Sequence, residues 1–196
     1  MSKVLAVPYY AQNDNEPWGY AYGNVQCCPT ANAMLAFYLN EARLKRSQTY
    51  GFLEPESYYK HLMEIAGFSP ADRGNHDAHT EILSEYFRID SVWRKDLTPQ
   101  DFRDSIDKGF PVVCGLAYKV SEHIAIAVGY SDIGLLINDP YGIRGGTSNE
   151  YERINPGYGE LSGKEDGYSW ASLDRILFKD GGLGRIVTRV QKNYQC

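Results

Sequence analysis

Residues 23–39 read GNVQCCPTANAMLAFYL. Two adjacent cysteines, Cys27 and Cys28, stand directly before Pro29 and Thr30 at the start of an unbroken apolar run. Pro29 falls where a first helical turn tolerates a missing N–H, and Ala33, Leu35, Ala36 and Leu39 follow it, which predicts a helix over 29–44. The run is apolar on nearly every side until Asn40, so this helix belongs in the centre of the fold. A sulfur at its mouth sits in the positive end of the helix dipole beside unsatisfied N–H groups, and both favour thiolate over thiol. The plainer reading makes the pair small buried hydrophobes, the usual state of free cysteines.

Working outward, PESYYKHLMEIA (55–66), HTEILSEYF (79–87) and TPQDFRDSIDKG (98–109) read as three more helices. The last is opened by Thr98 as N-cap with Pro99 behind it and closed at Gly109. Strands are expected after these helices: FPVVCGLAY (110–118), HIAIAVGY (123–130) and LLIND (135–139), with GLGRIVTRV (182–190) as the last. Their β-branched content and short joints predict an antiparallel meander. Helices first and antiparallel strands second make an α+β fold. Residues 143–167 lack periodicity and read as a long ordered loop. No linker or repeat divides the 196 residues, so one domain over 1–196 is expected.

Composition narrows the function classes. A net charge of −5 without a cluster of Lys or Arg leaves no electrostatic footprint for nucleic acid or an anionic membrane. The N-terminus MSKVLAVPYY is interrupted by Pro8 and lacks the apolar core of a signal peptide, so synthesis in the cytoplasm is expected. No window approaches the length of a membrane span. Four cysteines, Cys27, Cys28, Cys114 and Cys196, form no disulfide framework and no CxxC pair. The segment NHDAH (75–79) offers His76, Asp77 and His79 but no further ligands, and reads as a solvated loop and helix start rather than a metal site. Cys114 reads as a core residue. No cofactor or metal is expected.

A nucleophilic thiol needs a base, and the base an orienting group. Strand alternation puts His123 on one face with Ala125 and Ala127, which leaves room around the ring. Asp139 ends the next strand, in NDPYG, where antiparallel pairing brings such positions side by side. Cysteine on a helix start, histidine on a strand and aspartate on its neighbour is the constellation of a thiol acyl-transfer enzyme. Gln12, in VPYYAQ, precedes the helix and is placed to offer its side-chain amide beside the cysteine N–H as an oxyanion donor.

Together VPYYAQ, CCPTANAML, GFPVVCGL, HIAIAVGY and NDPYG resemble the C39-like branch of the papain-like cysteine peptidases, from Val7 to about Val190. The resemblance implies the papain-like fold, Cys27 as nucleophile, His123 as general base and acid, Asp139 as its orienter and Gln12 as oxyanion donor. Two positions depart from the family pattern: Cys28 stands where a small residue usually follows the nucleophile, and Glu122 stands where a Gly commonly precedes the histidine. Within that branch the chain is most similar to lysins. This implies amide hydrolysis in peptidoglycan, with delivery to the cell wall after holin release or as a virion component among virion proteins. A protein-processing peptidase, a peptidyl transferase, and an inactive structural or binding module of a virion are the alternatives. The Tyr- and Gly-rich segment from Ile143 to Trp170 is expected to form a wall of the substrate groove.

Overall fold

In the computed structural model the described residues are 2–14, 25–40, 55–118, 122–144, 153–154 and 162–191. Along the chain they form β1 (Lys3–Val4), α1 (Cys27–Leu39), α2 (Pro55–Ile65), a 3₁₀ turn (Pro70–Gly74), α3 (His76–Phe87), β2 (Ile89–Leu97), α4 (Pro99–Asp107), β3 (Val112–Ala117), β4 (Glu122–Tyr130) and β5 (Gly134–Asn138). After these come β6 (Gly142–Ile143), β7 (Arg153–Ile154), β8 (Asp166–Ser169), α5 (Trp170–Leu173), a π-turn (Asp174–Phe178) and β9 (Gly182–Val190).

Helix α1 is central, as its all-round apolarity predicts: Cys28 to Phe37 are buried without a break. It packs between β4 on one side and α2 and α3 on the other. Phe37 is the focus of this packing, with its ring 5.3 Å from Phe87 and 6.2 Å from Tyr10, both edge-on, and 6.5 Å from Tyr58. The helix begins at Cys27, two residues earlier than the position of Pro29 suggests, so both cysteines lie in its first turn. At the other end Asn40 closes it, its N–H bonding Ala36 O at 2.9 Å and its side chain reaching Phe87 O at 2.8 Å. Residues 41–44 of the predicted span lie outside the described residues.

The main sheet is antiparallel, in the order β2-β9-β3-β4-β5-β8, with β1 added to β4. The meander β3-β4-β5 is as expected, and the last strand runs over the predicted residues but inserts between β2 and β3. Gly129 makes room for β1, since a Cβ there would lie 2.6 Å from Lys3 O. The mixed helices and antiparallel sheet match the predicted α+β class.

Two expectations need correction. The strands do not all follow the helices: β2 lies between α3 and α4, and its IDSVWRKDL is too charged for a periodicity reading because it is an edge strand of which only the two end residues are fully buried. The segment 143–167 is not only loop, because it holds parts of β6, β7 and β8. Helix α4 behaves as read, with Thr98 and Asp101 forming a reciprocal capping box and Gly109 at φ +88°.

Replacing Phe37 with Ala should lower unfolding free energy by about 3–5 kcal/mol, because three aromatic partners cannot collapse into the space left. Urea denaturation reads this as a lower midpoint at unchanged slope.

Candidate active site

The first turn of α1 separates its two thiols. Gln26, the N-cap, provides no side-chain capping bond, and the turn carries no acidic residue, so the positive end of the helix is not offset locally. Cys27 is partly exposed and meets the start of β4, where its sulfur bonds the His123 side chain and the Ile124 N–H. Cys28 is buried instead, with Asn32 Nδ2 at 3.5 Å from its sulfur and 2.9 Å from its carbonyl oxygen.

The environments drive the thiols apart. Burial works against a Cys27 thiolate, but the hydrogen bond and charge of His123 outweigh it and hold this thiol below its ordinary range. Burial, with the neighbouring Cys27 charge adding to it, keeps Cys28 protonated at any working pH. Cys114, mid-strand in β3, is likewise a buried thiol pushed up by desolvation.

His123 Nε2 lies 2.8 Å from Asp139 Oδ1, which leaves Nδ1 as the nitrogen for Cys27. Burial opposes imidazolium here, but the Asp139 charge, its hydrogen bond and Cys27 overcome the penalty and raise the affinity of the ring for its second proton. The strand register explains the contact. Ile126 pairs with Asn138, so Asp139, one residue on, falls level with Ala125 and diagonal to His123 on the same face. The pairing is therefore diagonal rather than side by side. Glu122 is exposed, and alternation along β4 sends it to the face opposite His123.

Asp139 is wholly buried, and its turn gathers contacts from three parts of the chain. Oδ1 also accepts from the Tyr141 N–H at 2.9 Å, and Oδ2 accepts from the Tyr168 hydroxyl at 3.2 Å. The Asp139 N–H donates to Gly163 O at 2.8 Å, and the Tyr9 hydroxyl bonds both the Asp139 and the Ser162 carbonyls. Gly163 has φ +91°, and a Cβ on it would lie 2.4 Å from Asp139 O, so only glycine fits. The Gln12 N–H bonds Pro140 O at 3.0 Å, which seats this buried glutamine beside the same turn.

Sequence reading missed Tyr9, Tyr118, Tyr168 and Gly163. No pattern marks a tyrosine whose hydroxyl will meet a carboxylate, and Tyr168 lies in the segment read as a groove wall. It is instead 1% exposed and packed in the core, whereas residues 145–152 and 155–161 of that segment lie outside the described residues. His79, read as solvated, is also buried, with Nδ1 on the Tyr59 hydroxyl and Nε2 on Arg73 O. Burial holds its pKa down to about 3, a neutral core histidine.

The sequence profile of the Peptidase_C39 like family matches residues 4–164, which spans every site residue above except Tyr168. Among solved structures, a chain described as a C39-like peptidase from Bacillus anthracis superposes with a TM-score of 0.51 at 14% identity, covering 97% of this chain and 99% of its own. At that identity the likeness concerns the fold. Among curated proteins none matches this sequence.

Alkylation by iodoacetamide should select Cys27 and spare Cys28 and Cys114, as read by peptide mass mapping of the native protein. The rate should persist at pH values below the ordinary cysteine midpoint, because His123 favours the thiolate. In His123→Ala the midpoint should move upward, past the ordinary value, since burial, the largest effect, and the Asp139 charge then have only the Ile124 N–H and the helix end to oppose them. An unchanged midpoint would remove His123 as the cause.

Proposed function

The chain belongs to the Peptidase_C39 like family, and from that premise and the site geometry we propose that it is a cysteine peptidase hydrolysing peptide amides of peptidoglycan. The observation that carries the activity is the line from the Cys27 sulfur through His123 to Asp139, with His123 Nε2 on the carboxylate at 2.8 Å. In this reading Cys27 is the nucleophile, His123 the general acid and base, Asp139 its orienter and Gln12 an oxyanion donor, within one catalytic domain over 1–196.

The Cys27 thiolate attacks the amide carbonyl carbon, and the Gln12 side chain with the Cys27 N–H receives the charge on oxygen. The C–N bond breaks as His123 gives its proton to the leaving amine. Water then attacks the thioester while His123 takes its proton, releasing a carboxylic acid and restoring the thiolate and imidazolium. Asp139 keeps the ring in the orientation that serves both steps.

The wall substrate rests on the likeness of the sequence motifs to lysins. On this proposal the enzyme acts at the cell wall, released by a holin or carried among virion proteins. Purified protein incubated with sacculi under reducing conditions should release free amino groups without reducing sugars. Cys27→Ala should abolish the release, Cys28→Ala should keep most of it, and Asp139→Asn should lose less than His123→Ala. Intact sacculi beside cleavage of a protein at a defined site would replace the wall substrate with a protein-processing role. A dead Cys28→Ala with an active Cys27→Ala would reverse the assignment of the nucleophile.

A further inference from the structure

Behind Asp139 the polar contacts continue into the core. The Tyr168 hydroxyl that meets Asp139 Oδ2 at 3.2 Å also lies 3.1 Å from the Tyr118 hydroxyl. Both side chains are buried, at 1% and 7% exposure. The Arg144 guanidinium, itself buried, sits over the Tyr118 ring at 3.0 Å from its centroid, and the same ring lies 5.9 Å from the His123 imidazole. The Arg144 backbone is held separately, its main-chain N–H donating to Asp166 Oδ2 at 2.8 Å.

Counting protons gives this chain a direction. A carboxylate only accepts, so Tyr168 must spend its single O–H on Asp139. The contact between the phenols is then donated by Tyr118. Desolvation first, and the negative charge of Asp139 with it, keeps both phenols from ionising, so neither donor is lost in the working pH range. The Arg144 cation over the Tyr118 ring withdraws electron density from it and strengthens the O–H as a donor.

We infer that Tyr168 is a positioning residue of the active site, fixing the second oxygen of Asp139 and tempering its charge, with Tyr118 and Arg144 acting through it. The inference rests on the peptidase reading for its purpose, but its physical content concerns His123 alone. The titratable groups that act on His123 and Asp139 are Cys27 from α1, Cys114 from β3, Tyr118 just after β3 and Tyr168 from β8, while Arg144 acts on Tyr118 and Asp166 on Tyr168. The Tyr168 hydroxyl reaches Asp139 Oδ2, the oxygen other than the one that holds His123. The proton it donates offsets part of the carboxylate charge. Without it Asp139 pulls harder on the imidazolium, which then gives up its proton less readily.

NMR titration of ¹³C-labelled histidine in the full chain tests this. In Tyr168→Phe the His123 midpoint should move upward by roughly half a pH unit or more, and kcat on peptide should fall about 3- to 30-fold with KM little changed. Tyr118→Phe keeps the bond to Asp139 but weakens its donor, and should move the midpoint in the same direction by less. The double variant should match Tyr168→Phe, because Tyr118 acts only through it. A lowered melting temperature with an unmoved His123 midpoint in both variants would make these tyrosines structural and overturn the inference. Additive shifts in the double variant would overturn the serial arrangement. A wild-type protein that cleaves no peptide while the midpoints shift as stated would overturn the peptidase reading and leave this one standing.

Discussion

A carboxylate with no access to water sets the terms for the rest of this structure. Taking the Asp139 charge out of water costs several kcal/mol unless it is paired and hydrogen-bonded. The fold meets that demand by bringing His123 from β4 and Tyr168 from β8 to one turn, which adds its own Tyr141 N–H. Tyr9 and Gln12 of the N-terminal segment and Gly163 after β7 then bind the turn's backbone. Three strands of the main sheet, β4, β5 and β8, and the N-terminal segment are thereby organised around one side chain. The same demand explains why Gly163 has no substitute, since the chain must pass within bonding distance of the Asp139 backbone.

A second buried charge lies close enough to the first turn of the central helix for its field to reach Cys28. Arg185 of β9 is wholly buried and donates to neutral oxygens, the Thr80 and Ser91 hydroxyls and the His76 carbonyl. These donors and acceptors join α3, β2 and β9, and the His76 ring stacks on Trp93 at 3.5 Å beside them. Burial first and the Arg185 charge second hold His76 down to about 4. Neutral histidines and a permanent cation therefore coexist there, and the negative charge of Asp77 acts on the guanidinium against the cost of its burial. Its positive potential reaches Cys28, but desolvation outweighs it and the thiol stays protonated.

The parts of this architecture legible in the sequence are those where one local signal suffices. All-round apolarity placed α1 at the centre, Thr98, Pro99 and Gly109 bounded α4, and β-branched runs located β3, β4, β5 and β9. Cys27, His123 and Asp139 were legible as a set because each lies at or beside the end of an element, and the structure brings the three side chains together. What stayed hidden depends on tertiary partners. The strand β2 carries its charges on an exposed edge, so its pattern resembles a loop. His79 looks like any surface histidine until Tyr59 and Arg73 are brought to its two nitrogens. Tyr168 is one of 16 tyrosines, and only the pairing of β5 with β8 decides that its hydroxyl faces Asp139.

The adjacent thiols show how far a single residue of helix can separate two identical groups. Successive side chains in a helix diverge by about 100°, so Cys27 and Cys28 cannot face the same surroundings. Cys27 turns to the start of β4, where an imidazole already polarised by a buried carboxylate meets it. Cys28 turns inward to Asn32, which bonds its carbonyl and touches its sulfur without supplying a charge. Burial disfavours thiolate at both positions, so what differs is that His123 bonds the Cys27 sulfur directly, whereas the Arg185 charge that reaches Cys28 does not offset its desolvation. A small residue at position 28 would fill the same inward direction, which is why a second cysteine is tolerated there: packed and protonated, it offers no competing nucleophile. The reactivity at the mouth of the helix is thus set by the angle between neighbouring side chains and by which of them the Asp139 and His123 pair can reach.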